Sequence, residues 1–305
     1  MSRLYKNLFF SFATIALVFA SHFPEVHAQK TKGDNALLWK ITGKNLKKPS
    51  YVFGTIHIID AKDYFLPEGT LSAMESSERI CFEIDMAEMS DMSSMMGMLQ
   101  KIYMEDGLSI KDLLSESDYK LVSDHFSKQG LPMFFMEKMK PMFLTVFASG
   151  DINPMSLDKG TMKSYEMEFY SLAKSMNKPT GGLETVDFQI SLFDEIPYDV
   201  QAKMLVEAVK TGDNDQNGEF SLMIESYKAQ DIEKLASMIS SGESSIGGFE
   251  DALLFKRNSS WIPLMEAQMS KEPTFFAVGA GHLGGEKGVI KLLSKAGYKV
   301  RPVSD

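Results

Sequence analysis

Ser50-Tyr51-Val52-Phe53-Gly54-Thr55-Ile56-His57 carries an apolar, strand-like run into a glycine and reaches a histidine three residues later. Glycine at a strand end lets the backbone turn sharply, so the side chain that follows projects into the crevice at the carboxyl edge of a sheet. The same pattern returns near the other end of the chain, where Thr274-Phe275-Phe276-Ala277-Val278 leads into Gly279-Ala280-Gly281-His282. Two strand-to-turn units so far apart in sequence predict one sheet assembled from both ends of the chain.

Outward from these units the strand signals continue. Residues 37–43 pair with 50–54 as a hairpin across a Lys/Asn/Pro connection, residues 79–85 form a third strand, and 179–183, 274–278 and 298–303 three more. Long helical patterns separate them: 115–130, opened by the capping pattern Ser115-Glu116-Ser117-Asp118, then 165–176, 186–193, 198–210, 220–239, 249–269 and 288–295. The alternation predicts an α/β (mixed α+β) fold, a central mixed sheet from the N- and C-terminal strands flanked by helices, with a helical middle part over about residues 86–270. The Gly/Ser/Asp/Asn-rich stretches 211–218 and 240–248 read as surface connections.

Methionine is abundant, 22 of 305 residues. Met86, Met89, Met92 and Met95, and again Met133, Met136, Met139 and Met142, recur at helical spacing, so each series is expected to mark one helix face. Such faces serve packing, adaptable apolar surfaces or Cu(I) sites.

Arg3 and Lys6 precede an uncharged apolar run, residues 8–20, followed by Val26-His27-Ala28. That is the grammar of a secretory signal peptide over residues 1–28, cleaved near Ala28, with 29–305 as the exported domain, periplasmic or secreted. The run is too short to span a bilayer, so no stable membrane span is expected after cleavage. The single cysteine, Cys81, lies in an apolar strand and reads as buried and inert. A net charge of −9 with no Lys/Arg cluster argues against nucleic acid as a partner. Walker, Gly-x-Gly-x-x-Gly, Gly-x-Ser-x-Gly, His-Glu-x-x-His and paired-cysteine patterns are absent, which disfavours nucleotide-dependent and thiol chemistry.

Beyond the signal segment three histidines remain. His125 sits inside a helical pattern and reads as structural, whereas His57 and His282 share the strand-Gly-x-x context and read as general bases or metal ligands. Glu83 and Glu184 follow apolar strand residues, where a carboxylate is costly unless paired, hydrogen-bonded or on a metal, although Glu184 also precedes a helix start at Thr185. Asp85 is a candidate to support Glu83. Arg257, four residues before Trp261 on a helix, is either a solvated charge or a fork for a carboxylate or oxyanion.

Together, Gly54-Thr55-Ile56-His57, Phe82-Glu83-Ile84-Asp85, Ser164-Tyr165-Glu166, Gly182-Leu183-Glu184-Thr185, Arg257-Asn258 with Trp261, and Gly279-Ala280-Gly281-His282-Leu283 resemble the TraB/PrgY/GumN family in order and spacing across nearly all of residues 29–305. That family is related to the Tiki-type metalloproteases and, more remotely, to erythromycin esterases and haem-associated lipoproteins. The resemblance implies hydrolysis of a peptide or small-molecule substrate, with His57, Glu83 and His282 as ligands of a divalent metal such as Mn²⁺, Co²⁺ or Zn²⁺, and with Arg257 and Glu184 in the catalytic set. A metal-independent hydrolase of esters or small molecules, and a non-enzymatic protein that sequesters a peptide or haem-like ligand, are the alternatives. Oligomeric state is not written in the sequence.

Overall fold

A computed structural model of the chain describes residues 35–88, 92–148, 161–213, 218–240 and 248–303. Residues 1–28, expected from the sequence to be a signal peptide, fall outside the described residues. In chain order the elements are β1 (Leu38–Thr42), β2 (Ser50–Thr55), β3 (Ile59–Asp60), α1 (Thr70–Ser76), β4 (Arg79–Ile84), α2 (Met92–Lys101), α3 (Ile110–Leu113), α4 (Glu116–Lys128), α5 (Pro141–Ala148), β5 (Met162–Lys163), α6 (Tyr165–Ser175) and β6 (Thr180–Glu184). They continue with α7 (Val186–Phe193), α8 (Tyr198–Asp213), α9 (Glu219–Lys228), α10 (Ile232–Ser240), α11 (Lys256–Lys271), β7 (Thr274–Gly279), α12 (Val289–Lys295) and β8 (Lys299–Pro302).

Six strands form one mixed sheet in the order β6-β4-β7-β2-β1-β8. β2 runs parallel to β7, β7 to β4 and β4 to β6, whereas β1 is antiparallel to both β2 and β8. The strands at the centre are buried almost without interruption, Thr274 to Val278 throughout, as expected where helices cover both faces of a parallel block. Phe53, Phe169 and Phe275 lock the sheet to α6; Phe53 meets Phe169 edge-on with ring centroids 5.0 Å apart. A second apolar cluster, including Val122, Phe126, Met133, Leu144 and Leu205, holds the helical middle part. β6 lies inside that stretch of sequence yet returns to the sheet as an edge strand.

All six sheet strands lie where the sequence places them, and Ser115 caps α4 by accepting from the Asp118 amide at 3.1 Å. Several helix boundaries differ. Residues 220–239 divide into α9 and α10 at Gln230, whose left-handed φ of 56° ends a helix while its side chain accepts the Leu37 amide at 3.2 Å. Residues 249–269 begin as a wide π turn over Asp251–Phe255 before α11, which carries Pro263 in its interior. The second methionine series does not share a helix: Met133 opens one 3-10 turn, Met139 bridges Tyr103, and Met142 lies in α5. Pro132 and Pro141 are responsible, since each lacks an amide donor and disfavours helix in the residue before it. In the first series Met86 sits in the turn after β4 and only from Met92 does a helix run; Met89 is outside the described residues. Residues 211–213 extend α8 rather than forming a loop, and 214–217 and 241–247 are also outside the description.

A two-residue pairing escaped the sequence patterns. β3 pairs antiparallel with β5, Ile59 opposite Lys163 and Asp60 opposite Met162, and so brings the chain after His57 beside the start of α6.

Candidate active centre

Four parallel strands deliver their carboxyl ends to one edge of the sheet. β2 ends at Thr55 and β7 at Gly279, which are register partners, and Ile84 of β4 lies opposite Glu184 of β6. His57, Glu83, Glu184 and His282 therefore all emerge at the edge where parallel sheets commonly bind ligands. Gly54 makes the two turns compatible: a Cβ there would stand 2.8 Å from Leu283 Cδ1 and 3.0 Å from Ala280 Cα, so only glycine admits the second turn against β2. The Tyr227 hydroxyl donates to the Gly54 carbonyl at 3.0 Å and pins the first turn from beneath.

Arg257 reaches this edge from the first turn of α11 and is the hub. Its Nε donates to Glu184 at 3.0 and 3.1 Å, and its Nη2 to Glu83 Oε2 at 2.7 Å and Glu184 Oε2 at 2.8 Å. Nη1 donates to the Leu253 carbonyl at 3.0 Å and lies 3.3 Å from His282 Nε2. The guanidinium carbon sits 5.0 Å from the Trp261 ring centroid, and Trp261 Nε1 donates to Glu184 Oε1 at 2.7 Å. Gln189 of α7 spans the two carboxylates, its Nε2 donating to Glu83 Oε2 at 3.2 Å and Glu184 Oε2 at 3.1 Å. Glu83 Oε1 accepts the Gly279 amide at 2.8 Å and lies 3.7 Å from His282 Nε2. The two carboxylates are thus met by a guanidinium, two amides and an indole N–H, the donors that burial of their charge requires.

His57 lies apart from that cluster in contact and exposure. Its side chain is 71% exposed, against 6% for His282. His57 Nδ1 meets Glu166 Oε1 at 3.1 Å, and Glu166 is fixed by Thr55 Oγ1 at 2.7 Å and Ser164 Oγ at 3.1 Å. The charge and hydrogen bond of Glu166 raise the pKa of His57 to about 9. His282 moves the other way, to about 4: burial disfavours its charged form, Glu83 resists, and Arg257 and His57 reinforce the depression. Burial alone would raise Glu83; the positive charge that His282 takes on in acid, the Arg257 guanidinium, the His57 imidazolium and the Gly279 amide together bring it down to about 2. Near pH 7 the centre therefore holds an ionised Glu83, a neutral His282 and an imidazolium at His57.

A profile of the TraB/PrgY/gumN family matches residues 37–302. The chain belongs to this family. It is 22% identical to Metalloprotease TIKI1 of Danio rerio over 87% of this chain and 63% of that protein, and 21% identical to Metalloprotease TIKI2 of Danio rerio over 88% and 61%. Metalloprotease TIKI1 of Homo sapiens is 22% identical over 87% of this chain and 61% of its own length. The chain thus spans about three fifths of the length of these relatives. No solved structure matches it at a significant level.

Of the five site residues drawn from the sequence of this TraB/PrgY/gumN member, Glu83, Glu184, Arg257 and His282 form one hydrogen-bonded group, and His57 stands at its edge with Glu166. Among the described residues no three His, Cys, Asp or Glu side chains are gathered as a ready-made metal cage. Asp85 does not support Glu83; it accepts from Thr180 Oγ1 at 2.8 Å and from the Ala87 amide at 3.1 Å, because the β4–β6 pairing turns it toward β6. His125 is buried beside Phe126 with Gln129 as partner, as a structural histidine should be. Cys81 is buried, and burial pushes its thiol up to about 12. Gln189 was missed altogether, having no signal beyond its position five residues after Glu184. Glu166, Asn258 and Trp261 stand within the family-like motifs, but nothing in their spacing assigned them contacts.

Proposed function

We propose that this protein is an exported hydrolase, a metal-dependent peptidase acting on peptide or protein substrates. One observation carries the reading: Glu83 Oε1 and His282 Nε2 stand 3.7 Å apart at the carboxyl edge of the parallel strands. Two ligands of a tetrahedral zinc, each roughly 2.0–2.1 Å from the ion, lie about 3.4 Å from one another, so this pair is close to a chelating separation. The names of the Tiki relatives support the same direction. The donor chemistry fits as well. Two imidazoles, each with Nδ1 against an oxygen of another side chain, and one carboxylate suit Mn²⁺, Co²⁺ or Zn²⁺. Glu83 and His282 would hold the ion, with His57 as the third ligand.

Bound there, the ion would polarise a scissile carbonyl and make its water more acidic. Arg257 keeps Glu83 ionised and, through its fork on Glu184, fixes where that carboxylate points. The Gly279 amide, donating to Glu83 Oε1 at 2.8 Å, orients that oxygen toward the centre. Gln189 prevents Glu83 and Glu184 from separating. His57 must give up the proton it carries below about pH 9 before it can ligate, so metal uptake is expected to strengthen as pH rises toward that value.

One contact favours a second reading. Arg257 Nη1, 3.3 Å from His282 Nε2, already places a positive group at the position a metal would share, which suits a metal-independent hydrolase with His57 as proton donor. The deciding experiment uses the chain from Gln29 onward in a peptide-library digest with Mn²⁺, Co²⁺, Zn²⁺ or chelator. The expected result is cleavage that requires metal, lost by about 100-fold or more in kcat in Glu83→Gln while peptide affinity persists. Cleavage or ester hydrolysis undiminished by chelator establishes the second reading, and wild-type binding without turnover overturns both. Export is checked by N-terminal sequencing of protein from the periplasmic fraction, expected to begin at Gln29.

A further inference from the structure

Asn258 follows Arg257 directly and also faces His282. His282 Nδ1 is 2.6 Å from Asn258 Oδ1, while Asn258 Nδ2 donates to the Lys287 carbonyl at 2.9 Å and to the His282 carbonyl at 3.3 Å. Both partners of Nδ2 are carbonyl oxygens, which accept and cannot donate, so the orientation of the amide is fixed and its oxygen must be the atom toward the ring. An amide oxygen only accepts; His282 Nδ1 therefore carries a hydrogen. On the other side of the ring, Nε2 faces Arg257 Nη1 at 3.3 Å. A guanidinium has five N–H groups and no acceptor. Nε2 must then present its lone pair.

We infer that Asn258 is a positioning residue that holds His282 as the Nδ1–H tautomer, so that Nε2 is offered to the centre only as an acceptor. Trp261, whose ring lies 4.5 Å from that of His282, prevents the imidazole from rotating out of this arrangement. Because Nδ2 also grips the Lys287 carbonyl, the same side chain ties the loop after the second Gly-x-x-His turn to α11. The consequence for chemistry is a restriction: His282 takes a proton or a cation at Nε2 and does not donate from that atom. The inference stands on hydrogen-bond complementarity and is independent of whether the reaction is peptide cleavage.

The test is long-range ¹H–¹⁵N correlation spectroscopy of histidine-labelled, chelator-treated protein from Gln29 onward at neutral pH, with His57→Gln and His125→Gln spectra assigning the remaining ring. The expected spectrum gives His282 a protonated Nδ1, with its proton far downfield and protected from exchange, and an unprotonated Nε2. Asn258→Asp, which keeps an oxygen acceptor at that place, should retain the protonated Nδ1. Asn258→Ala should shift that proton upfield and accelerate its exchange by tenfold or more. A wild-type Nε2–H signal overturns the inference, as does an Nδ1 proton unchanged in shift and exchange in Asn258→Ala. Because the readout is a proton position, its failure is distinct from failure to find peptidase activity.

Discussion

Arg257 faces two buried carboxylates, and its removal is expected to be far costlier than its contacts are worth. The Arg257 side chain is 10% exposed and those of Glu83 and Glu184 are 12% and 4%. Attraction within such a group is largely offset by the desolvation of its members, but deletion of the one cation leaves carboxylates without their partner, typically about 3–5 kcal/mol. Arg257→Met should therefore lower unfolding free energy by roughly that amount in urea titration, and Arg257→Met combined with Glu184→Gln should recover part of the loss. A double variant no more stable than the single one would remove Glu184 as the main partner. At this scale the sequence was readable in residue types but not in contacts. Two carboxylates after strands and two histidines after glycines are visible as letters. That Arg257 is a fork on Glu184 rather than a solvated helix charge depends on β6 lying beside β4, a pairing between segments about 100 positions apart.

At the level of elements, the centre depends on two turns packed onto neighbouring strands with no side chain between them. A Cβ on Gly54 would lie at 2.8–3.0 Å from Leu283 Cδ1 and Ala280. Leu283 is fully buried and Ala280 nearly so, which leaves little room for either to retreat. Gly54→Ala is expected to cost about 1–3 kcal/mol by overpacking and to displace the second turn, visible as a lower urea midpoint with an unchanged m value. By contrast Gly97→Ala, with nothing within 4 Å of the added carbon inside α2, should be neutral or slightly stabilising. Most strands of the sheet were legible as short apolar or β-branched runs, and Pro49, Pro273 and Gly297 mark the starts of β2, β7 and β8; β6, Thr180-Gly181-Gly182-Leu183-Glu184, gave the weakest signal. Helix ends were less legible. Gln230 adopts a left-handed φ without being glycine, and the π turn at Asp251–Phe255 has the residue pattern of ordinary helix. The β3–β5 pairing, which brings Glu166 to His57, is only two residues long and leaves no period to detect.

For the whole molecule, the buried ionisable groups set how stability depends on pH. His282 has a folded pKa of about 4 against an ordinary value of 6.5. The unfolded chain takes up this proton as pH falls below 6.5 while the folded chain resists until about 4, so stability declines across that window. Glu83, lowered from 4.5 to about 2, contributes stability that is complete above 4.5 and lost as pH falls toward 2. His57 has the opposite sign: raised to about 9, it stabilises fully below 6.5 and its contribution fades as pH climbs to 9, weakly because the side chain is exposed to solvent. These directions place the greatest stability of the metal-free protein near pH 6.5–7, with the steeper decline on the acid side. At about 1.4 kcal/mol per pKa unit, His282 alone accounts for a loss of roughly 3 kcal/mol by pH 4. Urea titrations of chelator-treated protein between pH 7.5 and 4.5 should show this decline in wild type and in His57→Gln alike, and a shallower one in His282→Gln, whose side chain does not titrate. An equally steep decline in His282→Gln would mean that the acid sensitivity arises elsewhere and that the ring at position 282 is not kept neutral by its burial.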